Sequence, residues 1–318
     1  MAKYPVLMAL LLWLVGASQW VVAENLSPKQ WLQRMVQASE AMSYRGLSAH
    51  LSGGQLSSLS IYHAPFEGES WSRIVQLSGE PAEIIRKGSQ VVCLHQRTAR
   101  RLSPAGSLFG PRKGVEHYSR FYQLKLSSGG RIAGRQAQRI DVIPKDDNRY
   151  GYQLWLDSRT GLLLKSQTMG EQQQPLEVFE FVSLDLDTPL TKADFEPSPG
   201  LKPGDAPLNS ATKAQLQSNR DPAKNWGVGW LPEGFQQVKD YMQMQGEGQF
   251  SARVYSDGLA AFTVFFDANN AKQTVQFRGA TVAVRHSANG ASVTVVGEVP
   301  LKTAQRVADN VNTLALKP

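Results

Sequence analysis

The apolar residues that follow position 26 recur at the spacing of a helix. Those that share one face are Trp31, Met35, Ala38 and Met42, with Leu32 and Val36 beside them. Ser27 is a favourable N-cap, and Pro28 suits the first helical position because its missing N–H would have no partner there. Gly46 is the next residue that disfavours a helix. The pattern predicts one amphipathic helix from Ser27 to Gly46.

Beyond this helix, apolar and polar residues alternate at the period of a β-strand. Alternating segments separated by Gly, Ser and Pro occupy residues 55–64, 70–78, 83–87, 90–95, 150–156, 162–168 and 176–186. In the clearest segment Tyr152, Leu154 and Leu156 fall on one face, and residues 157–161 turn the chain into the next strand. Antiparallel strands after a single helix predict a curved sheet, or an incompletely closed barrel, wrapped on that helix.

A segment rich in proline and glycine divides the chain. Six such residues fall between positions 197 and 207, and few apolar residues follow before Trp226. This composition is typical of an extended linker. A surface loop within one domain is the alternative, but a new core pattern beyond Trp226 disfavours it. We predict a large domain at residues 24–196, a linker at residues 197–225 and a small domain at residues 226–318.

The small domain has its own pattern of turns and strands. Asp257-Gly258 and Asn289-Gly290 are typical two-residue turns of β-hairpins. The strands beside them are residues 253–255 and 259–267, and residues 276–285 and 291–296. From Pro300 onward, apolar residues return to helical spacing. The prediction is an α+β protein of two domains, in which the small domain is a four-stranded antiparallel sheet with a terminal helix.

The first 23 residues have the features of a secretory signal peptide. Lys3 provides a positive start, residues 6–17 are apolar, and Val21 and Ala23 suit the −3 and −1 positions of a cleavage site. This apolar run is too short for a transmembrane helix. An uncleaved N-terminal anchor is the alternative. We expect an exported, soluble protein.

Composition and charge restrict the class of protein and the kinds of partner that it can bind. The chain is 42% hydrophobic and 19% charged, which excludes disorder. Cys93 is the single cysteine, so an intrachain disulfide is excluded, and a buried inert thiol is expected. The net charge of +7 favours acidic partners. For an exported protein these are anionic lipid, lipopolysaccharide or an acidic peptide rather than nucleic acid.

The sequence lacks the patterns of common enzymes and metal sites. The histidines are far apart and none has metal-ligand spacing: His50, His63, His95, His117 and His286. No G-x-S-x-G motif is present. A Ser-His-Asp triad assembled from distant positions stays open. We predict a binding protein with no catalytic residue, no metal and no cofactor.

Two groups of residues are candidates for binding. A loop without acidic residues carries five cations, Arg97, Arg100, Arg101, Arg112 and Lys113. They can converge on phosphates or carboxylates, or simply form a solvated loop. Aromatic residues on predicted strands are Tyr62, Trp71, Tyr152, Trp155, Phe179 and Phe181. Such residues are usually core, but a partly open barrel presents them to acyl chains or to a protein segment.

Four segments resemble the MucB/RseB family of sigma-E regulatory proteins, in the same order along the chain. They are residues 149–165 (RYGYQLWLDSRTGLLLK), 230–235 (WLPEGF), 253–259 (RVYSDGL) and the end from Val295 (VVGEVPLKTAQRVADNV). The first is shared with lipoprotein-carrier folds and therefore indicates the fold. The other three together are specific. The resemblance covers essentially the whole mature chain.

The resemblance implies a fold and a function. The large domain is expected to be a half-open β-barrel similar to the lipoprotein carriers LolA and LolB, with a helical lid and a lipid-sensing role. The small domain is expected to bind the periplasmic part of an RseA/MucA-like anti-sigma factor and to shield it from the site-1 protease. Lipopolysaccharide or mislocalised lipoproteins would cause release. Family members often form homodimers.

The partner surface is expected on the small domain. Its candidate residues are Trp226, Trp230, Tyr255, Asp257 and Arg285. The alternative is that the two tryptophans pack the core of that domain. Two other functions stay open: a periplasmic lipid or lipoprotein carrier or chaperone, which would not need the small domain, and an undetected hydrolase, which would show turnover.

Overall fold

The structure is a computed structural model that describes residues 26–88, 90–95, 115–199, 226–245, 248–267, 273–288 and 291–313. The expected signal peptide at residues 1–23, the cationic loop at residues 97–113 and residues 200–225 of the expected linker lie outside the described residues. Within the described ranges, no helix is both long and apolar enough to cross a membrane. The described chain forms a large unit and a small unit, each built on an antiparallel sheet.

Helix α1 (Pro28–Ala41) begins where the sequence predicts. Its first turn is a capping box: Oγ of Ser27 accepts a hydrogen bond from the N–H of Gln30 at 3.4 Å, and Oε1 of Gln30 accepts one from the N–H of Ser27 at 2.7 Å. The helix ends at Ala41, so the expected end at Gly46 is wrong. The helix ends there because the chain enters a strand at Tyr44, and Gly46 lies inside that strand.

The large unit is one ten-stranded antiparallel sheet. Its strands are β1 (Tyr44–Ser52), β2 (Gln55–Phe66), β3 (Glu69–Gln76), β4 (Glu83–Lys87), β5 (Gln90–His95), β6 (Tyr122–Ile132), β7 (Arg135–Pro144), β8 (Gly151–Asp157), β9 (Leu163–Met169) and β10 (Pro175–Asp185). They pair in the order β5-β4-β3-β2-β1-β10-β9-β8-β7-β6. In the described residues the edge strands β5 and β6 pair with β4 and β7 but not with each other, so the sheet is not closed. The expected half-open barrel is confirmed.

The sequence pattern does not predict β1, β6, β7 or the short helix α2 (Val115–Phe121). In β1, Gly46 allows close packing, because a Cβ atom there would lie 2.7 Å from the ring of Phe181 on the paired strand β10. Gly46 therefore allows close contact between two paired strands and does not end the helix. Strand β6 is exposed at most positions, so it lacks the apolar alternation that reveals a half-buried strand.

The two faces of the large sheet are covered differently. Helix α1 covers the inner face, where its residues Trp31, Leu32 and Met35 join the main core. The strands contribute Leu59, Ile61, Ile74, Ile140, Tyr152, Leu154, Leu156, Phe179 and Phe181 to that core. The outer face carries smaller clusters, one at Phe195 in a 3-10 turn (Lys192–Phe195) and one at Trp155.

The small unit is a six-stranded antiparallel sheet with a helix on one face. The strands of this part are β11 (Trp226–Val228), β12 (Gln236–Gln245), β13 (Gly248–Ser256), β14 (Ala261–Asp267), β15 (Thr274–Arg278), β16 (Thr281–Ala288), β17 (Ala291–Gly297) and β18 (Val311–Thr313). The sheet has the order β12-β13-β14-β17-β16-β15, and β11 pairs with β18 separately. Helix α3 (Leu301–Asp309) packs on β16 and β17 through Ala304 and Val307.

The small unit confirms the type of fold and corrects its details. The hairpin around Asp257-Gly258 and the terminal helix are confirmed, but the hairpin loop has four residues, 257–260, instead of the expected two. Six strands replace the expected four. Residues 276–285, expected as one strand, are divided by Gly279, whose φ of +57° turns the chain between β15 and β16. Asn289-Gly290 lies outside the described residues, although Ala288 and Ala291 on either side are paired.

Candidate functional site

A loop of the small unit is buried against the large unit. This junction loop, residues 256–260, connects β13 to β14. Asp257 shapes it, because its Oδ1 accepts hydrogen bonds from the N–H groups of Leu259 and Ala260 at 2.9 and 2.8 Å. Leu259 is only 7% exposed and belongs to the hydrophobic core on the inner face of the large sheet. The small unit therefore supplies part of the core of the large unit.

The second carboxylate oxygen of Asp257 meets two donors from the large unit. Nη1 of Arg149 donates to it at 2.6 Å, and the hydroxyl of Tyr122 donates at 2.9 Å. The side chains of Arg149 and Asp257 are both completely buried. A buried charge that loses its partner is strongly destabilising. This ion pair therefore ties the position of the junction loop to the large unit.

Arg149 is held by both units. Its Nε and Nη2 donate to the carboxylate of Asp146 at 3.0 and 2.8 Å, and Nη2 also donates to the backbone oxygen of Glu233 at 2.6 Å. Three ring centroids lie 5.1–5.5 Å from its guanidinium carbon, those of Phe121, Tyr122 and Phe235. Planar guanidinium groups suit this combination of forked hydrogen bonds and aromatic faces. A lysine could not replace it.

Burial and neighbouring charges shift the pKa values of two side chains at this junction. Burial and the charge of Asp257 raise the pKa of Tyr122 well above its usual value, so the hydroxyl stays protonated and donates. Burial by itself lowers the pKa of Arg149, but the hydrogen bond to Asp146 and the nearby Tyr122 and Asp257 raise that pKa above its usual value. The arginine therefore stays charged and the tyrosine neutral at physiological pH.

Several further polar contacts join the units outside this junction. At the turn between β15 and β16, the N–H of Ala280 donates to Oε1 of Glu177 at 3.4 Å, and Ser52 donates to the same oxygen at 2.7 Å. On α3, Nζ of Lys302 lies 3.0 Å from Oε1 of Glu171, with both side chains about half exposed. Exposed ion pairs of this kind contribute little to stability. The buried junction is the main polar contact between the units among the described residues.

Three residues expected to bind a partner are buried in the small unit. Trp226 is 1% exposed and stacks on Phe266, with ring centroids 5.6 Å apart. Tyr255 stacks on Phe262 at 5.5 Å, and Asp257 lies in the junction. The alternative that Trp226 packs the core is confirmed. In this arrangement these side chains are inaccessible to a partner, so any effect they have on binding would act through packing and docking; their role stays a prediction.

The other two expected partner residues are nearer the surface. Trp230 is half-buried, with the guanidinium carbon of Arg306 on α3 lying 4.0 Å from its ring centroid. Arg285 is exposed on β16, and its Nε donates to Oγ1 of Thr294 at 3.1 Å. The five cations of the loop at residues 97–113 lie outside the described residues. For Trp230 and Arg285 a direct contact with a partner stays a prediction.

The structure separates the six aromatic residues expected to bind lipid. Tyr152, Phe179 and Phe181 lie on the inner face, buried under α1 and the junction loop. On the outer face, Tyr62 and Trp71 pack around Phe195, and Trp155 forms a different cluster. These six residues therefore do not form one surface. Only the inner-face group belongs to the core that α1 and Leu259 cover.

Strand β15 exposes apolar side chains at the edge of the small sheet. Val275 and Phe277 are 40% and 63% exposed, although they lie opposite the buried Val284 and Val282 of β16. The face that α3 buries in the centre of the sheet thus continues, uncovered, to its edge. Exposed apolar residues on an edge strand are typical of a contact with another chain. The sequence analysis does not identify these residues.

The sequence analysis also does not identify the junction. Residues 230–235 and 256–259 carry the family resemblance, but nothing in a single sequence reveals that they meet Arg149. The one local signal is an arginine that follows Asp146 and directly precedes the apolar strand β8. Its partner Asp257 lies 108 residues further along the chain. Only the fold brings the two charges together.

The fold and these surfaces define a protein of two docked β-sheet units with buried polar contacts between them and apolar residues exposed at one sheet edge. The chain belongs to the MucB/RseB family. The model of the MucB/RseB N-terminal domain matches residues 27–199, and that of the MucB/RseB C-terminal domain matches residues 220–312. The family expected from the sequence is confirmed.

Known proteins of this family are similar over almost their whole length. The sigma factor AlgU regulatory protein MucB of Pseudomonas aeruginosa is 32% identical, covering 94% of this chain and 95% of that protein. The sigma-E factor regulatory protein RseB of Haemophilus influenzae is 27% identical, covering 91% and 92%. These relatives are named as regulatory proteins.

Solved structures of MucB agree with the fold of this chain. The crystal structure of MucB in complex with the periplasmic part of MucA has a TM-score of 0.74 and 29% identity, covering 91% of this chain and 100% of that chain. The crystal structure of MucB has a TM-score of 0.66 and 29% identity, covering 88% and 96%. Both units of the fold are included in this similarity.

Proposed function

We propose that this protein is a negative regulator of a sigma-E-type envelope stress response. It binds the periplasmic part of an RseA/MucA-like anti-sigma factor and shields that segment from the site-1 protease, so that the sigma factor stays sequestered. It acts by occupying a surface and catalyses no reaction. The observation that carries this proposal is the similarity of both units together to a relative seen in complex with MucA.

The small unit offers the surface for this partner. Val275 and Phe277 on the exposed edge of β15 provide apolar contacts, and an extended segment of the partner can pair with the free strand. Arg285 on β16 and Trp230 beside Arg306 add cationic and aromatic groups on the same unit. Aromatic and arginine side chains of this kind are the usual main contributors to an interface. The partner segment is therefore expected to combine apolar and acidic residues.

Lipids are the proposed signal for release. The inner-face residues Tyr152, Phe179 and Phe181 belong to the apolar core, and each methylene of an acyl chain buried among them would contribute about 0.8 kcal/mol. Helix α1 and Leu259 already fill this space, so a lipid has to displace them. This covering disfavours the alternative of a lipid or lipoprotein carrier. The cationic loop at residues 97–113 would bind the phosphates of lipopolysaccharide.

The protein is proposed to work in the periplasm and to form homodimers. Residues 1–23 support export, as the sequence analysis describes. On the outer face, Leu56 and Val182 are 69% and 65% exposed and provide an apolar surface for a second copy. Analytical ultracentrifugation of wild type and Leu56→Asp checks the dimer. A monomeric wild type would contradict it.

Binding is tested with the mature chain and a periplasmic segment of an RseA/MucA-like anti-sigma factor. Isothermal titration should give a stoichiometric complex, and the segment in that complex should resist site-1 protease. Arg285→Glu is expected to weaken binding at least about tenfold, because a like charge at an interface costs several kcal/mol. Arg131→Glu, an exposed arginine of the large unit, is the matched control and should leave binding unchanged.

Four outcomes bear on the proposal. The absence of any complex with the segment would overturn it. Equal affinities of Arg285→Glu and Arg131→Glu would exclude the β16 surface but keep the function. Added lipopolysaccharide should release the segment from wild type, and charge reversal at Arg100 and Arg101 should reduce this release. If deletion of residues 226–318 left lipid transfer intact, the carrier function would be favoured instead.

A further inference from the structure

We propose that the junction loop, residues 256–260, is a latch that holds the two units in one orientation, and that the latched orientation is the one that binds the protein partner. The first half of this inference concerns the fold and is independent of the proposed function. The second half rests on the proposed function. The two halves have separate measurements below.

The latch engages the large unit at two adjacent points. Oδ2 of Asp257 receives Nη1 of Arg149 at 2.6 Å and the hydroxyl of Tyr122 at 2.9 Å. Two residues further on, the side chain of Leu259 enters the core that includes Tyr152 and Phe179. One short loop thus delivers a charge and an apolar side chain to neighbouring sites on the same unit.

The two points of engagement are mechanically linked. The carboxylate that binds Arg149 through Oδ2 also fixes the backbone of Leu259 and Ala260 through Oδ1, at 2.9 and 2.8 Å. Movement of the charge therefore moves Leu259, and withdrawal of Leu259 separates the ion pair. An element that can only be in or out, with both contacts made or both broken, has the two discrete arrangements that a switch requires.

The contacts of Arg149 favour separation of the two units in a single step. In the docked state it donates to the buried Asp257, to the backbone oxygen of Glu233 in the small unit and to Asp146 of its own unit. Once the units separate, only Asp146 remains, and the site is open to water. Half-opened states that keep Asp257 buried away from Arg149 are disfavoured, because they leave its buried carboxylate without a counter-charge.

The remaining contacts cannot hold the orientation by themselves. Lys302 and Glu171 are about half exposed, and two further contacts are long: Arg278 reaches Gln55, and the N–H of Ala280 reaches Glu177, each only at 3.4 Å. Solvent screens exposed pairs of this kind. Docking therefore depends on the junction loop, while Lys302 and Glu171 report whether the units are docked.

The proposal that the latched orientation binds the partner is supported by comparing this structure with MucB in complex and with MucB alone. This structure, in which the latch is closed, has a TM-score of 0.74 with MucB in complex with the periplasmic part of MucA and 0.66 with MucB alone. The latched chain is therefore more similar to the complexed relative than to the free one. A partner that binds one orientation better shifts the protein toward it.

Docking is measured by carbodiimide cross-linking of the full mature chain followed by peptide mass spectrometry. The reagent forms an amide between a lysine and a carboxylate that are in contact, so the Lys302–Glu171 cross-link reports the docked state. Lys192–Glu67, 2.8 Å apart and both exposed, lies within the large unit and is the internal control. Its yield should stay constant in every variant that folds.

Asp257→Asn and Arg149→Met are expected to lower the yield of the Lys302–Glu171 cross-link at least about fivefold, since each leaves one buried partner unsatisfied. The double variant should recover part of the yield, because two residues that act on each other give non-additive effects. Glu171→Gln/Lys302→Gln removes the reporter and should leave the interdomain orientation, measured by small-angle scattering, as in wild type. Wild-type cross-linking in both single variants would overturn the latch.

Partner affinity tests the second half. Asp257→Asn should weaken binding of the anti-sigma periplasmic segment about tenfold, which is within the usual range of coupling between sites. Unchanged affinity with a lost cross-link would overturn the link to the partner and keep the latch. If wild type itself does not bind the segment, the proposed function fails, and the cross-link yields alone decide whether the latch exists.

Discussion

Single residues with completely buried charges determine how the parts of this molecule meet. Glu83 pairs with Arg73 and accepts hydrogen bonds from Ser198, which fixes the end of the large unit against β3 and β4. Arg149 and Asp257 do the same between the units. Each buried charge has an opposite charge and further hydrogen bonds, as is required for burial without a large penalty.

Gly279 gives a prediction at this scale. Its φ of +57° disfavours side chains, and a Cβ atom would lie 2.6 Å from Oε1 of Glu177 in the large unit. Gly88 has the same φ but no atom within 4 Å of such a Cβ, so it is the matched control. Gly88→Ala should cost about 1–2 kcal/mol for the left-handed backbone. Gly279→Ala should cost more in urea unfolding, because it also separates the units; equal costs would contradict the close contact.

A single sequence reveals some of these residues better than others. Asp257 was placed correctly in a hairpin turn, because Asp-Gly between alternating segments is a local signal. Its second role was not predictable, because Arg149 approaches it only through the tertiary fold. Trp226 and Tyr255 look the same in sequence whether a partner or a core covers them. The structure shows that the core of the small unit covers both residues.

At the scale of elements, α1 acts as the cover of the inner face. His63 on β2 connects this cover to the sheet: its Nδ1 lies 2.7 Å from the backbone oxygen of Met42, at the C-cap of α1, and its Nε2 lies 2.8 Å from Oγ of Ser70 on β3. A neutral ring satisfies both contacts, with Nδ1–H as donor and Nε2 as acceptor. The ring also stacks on Tyr44 of β1.

The junction of α1 and the sheet should be sensitive to pH. Burial lowers the pKa of His63 below its usual 6.5, so its contribution to stability is complete above pH 6.5 and is lost as the pH falls through the lower pKa of the folded state. The free energy of unfolding should therefore decrease as the solution is acidified from neutral pH. His63→Gln should show a smaller decrease in denaturant titrations across this range.

His50 provides a second histidine for this test. Burial lowers its pKa as well, with Glu177 opposing and Arg278 adding to the shift. A double variant with His50→Gln and His63→Gln should therefore show a flatter dependence than either single variant. A His63→Gln protein with the pH dependence of wild type would contradict the assignment.

Elements with strong periodicity were predictable and the others were not. The strands at β8, β9 and β10 and helix α3 follow clear apolar patterns. Strand β6 is exposed on both faces, α2 has only one or two turns, and the turn at Gly279 lies inside a continuous β-pattern. A strand that is exposed to solvent, or a turn that depends on one glycine, does not produce a regular spacing of apolar residues.

At the scale of the whole molecule, the core of the large unit includes a residue of the small one. Leu259→Ala should therefore increase hydrogen exchange in α1 and β8, which belong to the large unit. The expected destabilisation is about 2–5 kcal/mol, as for other buried leucines. Leu77→Ala, at an exposed leucine directly after β3, is the control and should change exchange little. Protection of β8 that is unaffected by Leu259→Ala would show that the units fold independently.

The position of Leu259 in the chain has a consequence for biogenesis. A chain that emerges from its N-terminus presents all ten strands of the large sheet before residue 259 appears. Until then, the inner face lacks one of its apolar side chains, and Arg149 lacks one of its two counter-charges. Because domains generally fold in the order of their emergence, the large unit first passes through an incomplete stage with exposed apolar residues, and chaperones would bind it mainly in that interval.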